Sequence, residues 1–94
     1  MQWKPNTTVA AVIEKDNRFL LVEEEIDGKL VFNQPAGHLE KDETLIEAIK
    51  REVLEETAFE FVPESLIGIY LYPNTNDKNI TYLRFCFFGF CSKK

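Results

Sequence analysis

One segment with helical periodicity, between Thr44 and Thr57, interrupts a chain that otherwise has the composition of β-strands. Its apolar residues recur at spacings of three and four, which places them on one side of an α-helix. Thr44, with Glu47 three residues later, fits a capping box at the start of that helix. We therefore predict one helix that ends near Thr57 and whose core-facing side consists of Leu45, Ile46, Ala48, Ile49 and Val53.

The segments on either side of this helix are rich in β-branched and aromatic residues and are separated by turn signals. Two of them, around Lys15-Asp16-Asn17, form the arms of a predicted hairpin. The predicted strands are Thr7–Glu14 and Arg18–Ile26 (the hairpin), Leu30–Phe32, Leu66–Tyr72 and Thr81–Phe90. Strands, one long helix and further strands predict a mixed α/β domain.

Bulk properties narrow the classes of function. Ninety-four residues, 45% of them apolar, suit one small domain. The net charge of −5 argues against a nucleic-acid polymer as partner, because such binding needs a basic face. We find no apolar run long enough to span a membrane and no signal-peptide pattern, so we expect a cytoplasmic protein without a membrane partner. Cys86 and Cys91 fall on opposite faces of a strand, and we expect both to be free thiols.

Three glutamates, Glu52, Glu55 and Glu56, share one stripe of the predicted helix, because residues three and four apart are neighbours. Like charges this close destabilise an isolated helix by about a few tenths of a kcal/mol per pair. A divalent cation with hard oxygen ligands would relieve the repulsion, but acidic residues also lie side by side on ordinary solvated helix faces. On these three residues alone, a metal site and a solvated face both remain open.

The surrounding pattern reads Gly37, five residues, Glu43, seven residues, and then Arg51-Glu52-Val53-Leu54-Glu55-Glu56-Thr57-Ala58-Phe59. It closely resembles the signature of the Nudix hydrolases, which cleave nucleoside diphosphates linked to another group. One position departs, since the pattern has a glycine where this chain has Ala58. Glycine suits a left-handed residue after the helix, and alanine in that conformation costs about 1–2 kcal/mol.

Further matching runs, Val22-Glu23-Glu24, Phe32–Glu40 and Leu83-Arg84-Phe85, are similar to the NudJ-type phosphatase branch of that family. The resemblance implies an α/β/α sandwich around a mixed sheet, completed by a C-terminal strand and helix that nothing after Phe90 can supply. A truncated chain, or a family member without its last third, would leave one sheet face uncovered, so we expect a monomer, or a dimer through that face.

The resemblance also implies a cofactor and its ligands. We expect Mg²⁺, with Mn²⁺ as a substitute, held mainly by Glu52 and Glu56. Glu55 is expected as a third ligand, direct or through water, and the carbonyl of Ala36 as another, with Gly37 allowing close backbone approach.

Catalytic roles follow from the same resemblance. Glu52 is expected as the general base, as in some family members, although others place the base on a loop outside the signature. Glu55 supports the metal, while Glu43 and Arg51 are expected to orient the ligands. The implied substrates are nucleoside di- or triphosphates or a thiamine-precursor pyrophosphate.

Residues that contact the substrate are less constrained by the pattern. Gly37 and His38 could approach a phosphate, though a solvated loop histidine is an equally ordinary role for His38. Arg84 lies within an apolar strand and serves either a structural ion pair or a substrate phosphate. Tyr70 and Tyr72 alternate onto one strand face, where they stack on a base or pack.

An alternative to an enzyme is a Nudix-like module that holds a nucleotide without hydrolysing it. The two classes differ in the glutamate set, and Glu52, Glu55 and Glu56 are all present, which favours catalysis.

Overall fold

The computed structural model describes residues 2–92, which form one helix and two β-sheets. The strands are β1 (Asn6–Lys15), β2 (Arg18–Phe19), β3 (Val22–Ile26), β4 (Lys29–Asn33), β5 (Ala36–His38), β6 (Glu60–Pro73) and β7 (Thr81–Ser92). The helix α1 spans Leu45–Thr57. A single helix on a mixed sheet confirms the predicted α/β class. Within residues 2–92, no helix has the length and apolar character needed to cross a membrane.

The main sheet has the strand order β2-β1-β7-β6, and β5 also pairs with β1. β1 and β7 run parallel, from Asn6 opposite Tyr82 to Glu14 opposite Phe90, whereas the other strand pairs are antiparallel. β3 and β4 pair only with each other, as a separate two-stranded sheet. β7 therefore lies inside the main sheet, between β1 and β6.

Helix α1 packs against one face of the main sheet and forms the core there. Because side chains alternate along a strand, the odd-numbered residues of β1 face α1 and the even-numbered ones point to the opposite face. The core residues are Val9, Ala11, Ile13, Ala48, Ile49, Val53, Phe61 and Phe87. On the opposite face Tyr70 and Phe90 remain 52% and 42% exposed, and residues 2–92 place no second helix over them.

Both ends of α1 follow the sequence prediction. The Thr44 hydroxyl accepts a hydrogen bond from the Glu47 N–H at 3.1 Å, and the Glu47 carboxylate accepts one from the Thr44 N–H at 2.8 Å. This reciprocal pair is the predicted capping box. At the other end Ala58 adopts the left-handed conformation, with φ of 65°, and its N–H donates to the Leu54 carbonyl. Alanine thus takes the backbone conformation that favours glycine, at a cost of about 1–2 kcal/mol.

The predicted strand Arg18–Ile26 is wrong as a single element. Only Arg18 and Phe19 pair with β1, and Leu20 then turns inward to pack against the core, with its N–H donating to the Ile13 carbonyl. Val22–Ile26 pairs instead with β4. A continuous β-prone run does not reveal where its pairing partner changes, because strand propensity reflects packing and not partner choice.

Three smaller differences have similar causes. Ile46 was predicted to face the core but is 42% exposed, since the buried stripe of α1 passes through Ala48, Ile49 and Val53. β6 starts at Glu60 and continues through Pro63, where the register with β7 shifts. Proline is tolerated there because β6 is an edge strand and the shift is a bulge. β5 forms directly after Pro35 and contains Gly37, although both residue types are more common in loops than in strands.

The two cysteines are free, as predicted. Cys86 is buried and Cys91 is half-buried, and neither forms a disulfide. Burial raises the pKa of the Cys86 thiol, although the charge of Arg84 opposes this effect. Cys86 is therefore a packed apolar side chain at neutral pH.

Candidate metal centre and substrate cleft

Gly37 and Glu52 lie in close contact where the sheet meets the acidic stripe of the helix. A Cβ built on Gly37 would fall on the Glu52 carboxyl group, so only glycine leaves room for this contact. β1 holds the position of Gly37 through its pairing with Val9. Strand β5 and helix α1 thus bring the two ends of the signature together.

Arg51 connects the acidic side chains around it. Its Nε–H and Nη2–H donate to the two carboxylate oxygens of Glu43, at 2.6 and 3.1 Å. Its Nη1–H donates to Glu52 at 3.1 Å and to Glu55 at 2.8 Å, and Nη2–H also donates to the His38 carbonyl at 3.0 Å. The side chains of Arg51, Glu43 and Glu52 are only 24%, 14% and 15% exposed. Arg51 therefore fixes the Glu52 carboxylate from one side while Gly37 fixes it from the other.

The charges in this network support one another. The hydrogen bond from Arg51 holds the pKa of the Glu43 carboxyl below its usual range. The same bond, with smaller contributions from Glu55 and Glu52, raises the pKa of Arg51. Both partners therefore stay ionised at neutral pH. This geometry is what the predicted orienting role of Glu43 and Arg51 requires, and the role itself remains a prediction.

Glu56 lies one helical turn after Glu52 and reaches the backbone of β5. Its carboxylate accepts a hydrogen bond from the Ala36 N–H at 3.3 Å. Although the residue as a whole is exposed, partial burial of its carboxyl raises its pKa to about 7, against the lowering effect of the Ala36 hydrogen bond. A hydrogen bond to Glu52 and the charges of Glu52 and Glu24 raise the pKa further. Glu52 and Glu56 thus form a close carboxyl pair whose repulsion is relieved by a proton or by a cation.

The donor chemistry of this pair fits a hard divalent cation, because carboxylate oxygens are the ligands that Mg²⁺ prefers. Glu55 is oriented differently, toward Arg51. Accordingly, residues 2–92 contain no ready-made cluster of three acidic, histidine or cysteine side chains around one point. At Ala36 the observed contact involves the N–H group. The structure therefore brings Glu52 and Glu56 together, and leaves Glu55 and the Ala36 carbonyl as predicted ligands.

Arg84 lies on the sheet face opposite α1. Arg84 on β7 lies opposite Thr8 on β1, and Thr8 in turn lies opposite His38 on β5. The Arg84 Nε–H donates a long hydrogen bond to the Thr8 hydroxyl at 3.4 Å, and its guanidinium lies 5.7 Å from the centre of the Tyr72 ring. Among residues 2–92, no carboxylate lies within salt-bridge distance of Arg84. One of the two roles predicted for Arg84, a structural ion pair, therefore has no carboxylate partner among the described residues.

His38 is exposed, and its ring centre lies 6.2 Å from that of Tyr82. Tyr82 packs in turn on Tyr72 at 5.5 Å and accepts a hydrogen bond from the Asn74 side chain at 2.9 Å. The position of His38 beside the cleft is compatible with both of its predicted roles.

Three clefts meet at Arg84, with volumes of about 380, 560 and 630 Å³. The 380 Å³ cleft contains Ala36, Gly37 and His38, whereas the 560 Å³ cleft runs from Ala36 past Glu24 to Arg84. A continuous surface thus joins the backbone beside Glu56 to the guanidinium of Arg84.

The sequence pattern did not single out Thr8, and it did not decide which of Glu23, Glu24 and Glu25 lines the pocket. Glu24 is one of three successive glutamates, and only the pairing of β3 with β4 decides which of them lines the cleft. Thr8 is 4% exposed and reads as an ordinary strand residue, because its partners Arg84 and His38 are distant in sequence.

Comparison with known proteins agrees with the geometry. The NUDIX domain profile matches residues 3–93. Phosphatase NudJ of Escherichia coli strain K12 is 48% identical over 85 residues, which cover 90% of this chain and 54% of that protein. The chain spans about half the length of the curated relatives it matches.

Solved structures agree as well. A NUDIX hydrolase from Nitrosomonas europaea superimposes with a TM-score of 0.87 and 54% identity, over 97% of this chain and 62% of the other. A second NUDIX hydrolase from the same organism gives a TM-score of 0.80 and 27% identity, over 100% of this chain and 51% of the other.

Proposed function

The chain belongs to the Nudix family, and on that premise we propose that it carries the catalytic part of a metal-dependent hydrolase. The proposed reaction is cleavage of a phosphoanhydride bond in a nucleoside di- or triphosphate or a related small pyrophosphate, including a thiamine-precursor pyrophosphate. The relative named phosphatase NudJ supports a phosphate-releasing reaction by similarity.

The observation that carries this proposal is the position of Glu52, held by Arg51 on one side and by Gly37 on the other. A catalytic carboxylate must be held in productive geometry, because small displacements of a reacting group are costly. A glutamate on a solvated helix face would have no such constraint. We therefore assign Glu52 as the general base that accepts the proton of the attacking water.

Glu52 and Glu56 would hold the divalent cation, Mg²⁺ or Mn²⁺, with Glu55 and the Ala36 carbonyl as further oxygen donors. Such an ion, when bound, neutralises phosphate charge and lowers the pKa of a coordinated water. Arg51, itself held by Glu43, keeps the Glu52 carboxylate oriented. For Glu55 to become a donor, its hydrogen bond with Arg51 must be released or shared.

The opposite end of the substrate is assigned to the face that carries Arg84. The unpaired guanidinium of Arg84 matches a phosphate or another anionic group. Gly37 and His38 border the cleft between Arg84 and the carboxyl pair. The substrate therefore runs from the Glu52–Glu56 pair, around β5, to Arg84.

A phosphate-release screen with Mg²⁺ tests the proposal. It should include nucleoside di- and triphosphates, nucleotide sugars, dinucleoside polyphosphates and thiamine-precursor pyrophosphates, with this chain beside one extended to the length of its relatives. We expect release that Glu52→Gln abolishes, and that Glu64→Gln, at an exposed position on β6, leaves unchanged. Nucleotide binding without any release would favour the non-catalytic binding module.

A further inference from the structure

Tyr70 lies flat along the strand that carries it. A Cβ built on Gly68 would fall on the Tyr70 hydroxyl and on the adjoining ring carbons Cζ and Cε2, so the ring rests directly on the backbone of Gly68. Gly68 does not have a positive φ, and the absence of a side chain there therefore serves close approach and not backbone conformation. The outer side of Tyr70 is bare, since the residue is 52% exposed.

Arg84 is the neighbour of Tyr70 on the adjacent strand. Tyr70 and Arg84 are partners in the pairing of β6 with β7, so their side chains emerge on the same face. Both line the 630 Å³ cleft, together with Gln34. Tyr72 differs from Tyr70, because the Arg84 guanidinium and the Tyr82 ring already pack on it.

We propose that Tyr70, supported by Gly68, is a stacking platform for a flat heteroaromatic ring, and that Arg84 binds an anionic group of the same ligand. The inference rests on the proposed function, because that ring would be the base of the substrate. An exposed aromatic ring can stack on any base, because every base has a π-face. The platform therefore selects for the presence of a ring and not for one particular base. It makes Tyr70 and Gly68 determinants of substrate class.

Nucleoside 5′-monophosphates and ribose 5-phosphate separate the ring from the phosphate. None of them contains a phosphoanhydride bond, so binding can be followed by two-dimensional NMR without turnover. We expect the wild-type chain to bind at least one of AMP, GMP, CMP and UMP about tenfold more tightly than ribose 5-phosphate. Equal affinity for all five compounds would overturn the inference.

Substitutions test whether the preference for a nucleotide over ribose 5-phosphate depends on the Tyr70 platform. Tyr70→Leu should lose about tenfold in nucleotide affinity without changing that for ribose 5-phosphate, whereas Tyr70→Phe keeps the ring and the preference. Gly68→Ala should behave like Tyr70→Leu because its methyl group displaces the ring. Arg84→Gln should weaken both kinds of ligand. Leu66→Ala, 48% exposed on β6 and outside the residues that line the 630 Å³ cleft, is the matched control.

Two results separate this inference from the proposed function. A preserved nucleotide preference in Tyr70→Leu, in a protein that releases phosphate, would refute the platform and leave the hydrolase intact. A nucleotide preference that disappears in Tyr70→Leu, in a protein without any turnover, would support the platform and refute the hydrolase.

Discussion

The carboxyl group of Glu52 occupies the space in which any residue other than glycine at position 37 would place its Cβ. We predict that Gly37→Ala lowers Mg²⁺ affinity more than tenfold because the methyl group displaces the Glu52 carboxyl, and that it destabilises the fold little because that carboxyl is the end of a flexible side chain. Isothermal titration and thermal melting measure the two effects. Gly28→Ala is the matched control, because a Cβ there meets nothing although φ is +76°. It should cost about 1–2 kcal/mol and leave Mg²⁺ affinity unchanged. Wild-type affinity in Gly37→Ala would disprove the tight fit.

Arg51→Lys keeps the positive charge but removes the two-pronged contact with Glu43 and the separate bond to Glu52. We expect turnover or Mg²⁺ affinity to fall about 10–100-fold, as is typical when a group that orients metal ligands is lost. Steady-state kinetics over a range of Mg²⁺ concentrations distinguishes the two. Arg18→Lys, exposed on β2, should have no effect, and a similar loss in that control would contradict a specific role for Arg51.

Glu56→Gln removes one carboxylate of the proposed cation site while retaining side-chain volume. Loss of a residue that only orients metal ligands lowers activity by up to about 100-fold. For Glu56→Gln we expect a larger fall in Mg²⁺-dependent turnover. Circular dichroism should show an unchanged fold, since a neutral side chain at this position relieves repulsion with Glu52. Turnover close to that of the wild type would end the assignment of Glu56 as a ligand.

Protonation of Glu56 makes the metal-free protein sensitive to pH. Its pKa of about 7 lies above the ordinary value of 4.5, so the folded state holds a proton that the unfolded chain releases. The stability contributed by protonated Glu56 is therefore complete below pH 4.5 and is lost as the pH rises through 7. In the presence of a metal chelator, the melting temperature of the wild type should fall relative to that of Glu56→Gln as the pH rises from 4.5 to 7. Parallel pH profiles of the two proteins would show that Glu56 does not titrate there.

Binding of Mg²⁺ should expel the same proton, because the cation requires ionised carboxylates. Titrations near pH 7 in two buffers of different ionisation enthalpy should give different observed binding enthalpies. In Glu56→Gln that difference should disappear. A buffer-independent enthalpy for the wild type would mean that the carboxyl pair is already ionised in the metal-free protein.

The exposed sheet face predicts concentration-dependent self-association, and the dimer remains a prediction. Sedimentation velocity over a range of concentrations measures it. Phe90→Lys, on that face, should favour the monomer, whereas Ile46→Lys on α1 should not. A wild-type chain that stays monomeric at every concentration would contradict self-association through this face.

Local interactions explain which features were predictable. The capping box at Thr44 depends on residues within one helical turn, so sequence spacing is sufficient to locate it, whereas the left-handed position at Ala58 was indicated by the resemblance to the Nudix signature. Sequence spacing is also sufficient for Glu52 and Glu56, which are neighbours by helical geometry. The sequence therefore predicted α1 and the carboxyl pair with little ambiguity.

Features that depend on distant partners were not predictable in this way. The split of Arg18–Ile26 depends on competition between β1 and β4, and the orientation of Glu55 depends on Arg51, which has several acidic neighbours to choose from. The Tyr70 platform requires Gly68 on the same strand and Arg84 on the next one. Each of these results from tertiary packing, which local propensity does not encode.

The parallel pairing of β1 with β7 has a consequence for how the chain folds. Thr8 and Arg84 are adjacent in the sheet although 76 residues separate them. Because β7 joins β1 to β6, a nascent chain that has not yet emerged beyond Thr81 cannot assemble the main sheet. The entropic cost of closing so long a loop must be met before the central contacts form, which favours slow folding. Until then β1 has an exposed edge, and its apolar residues are candidates for recognition by chaperones.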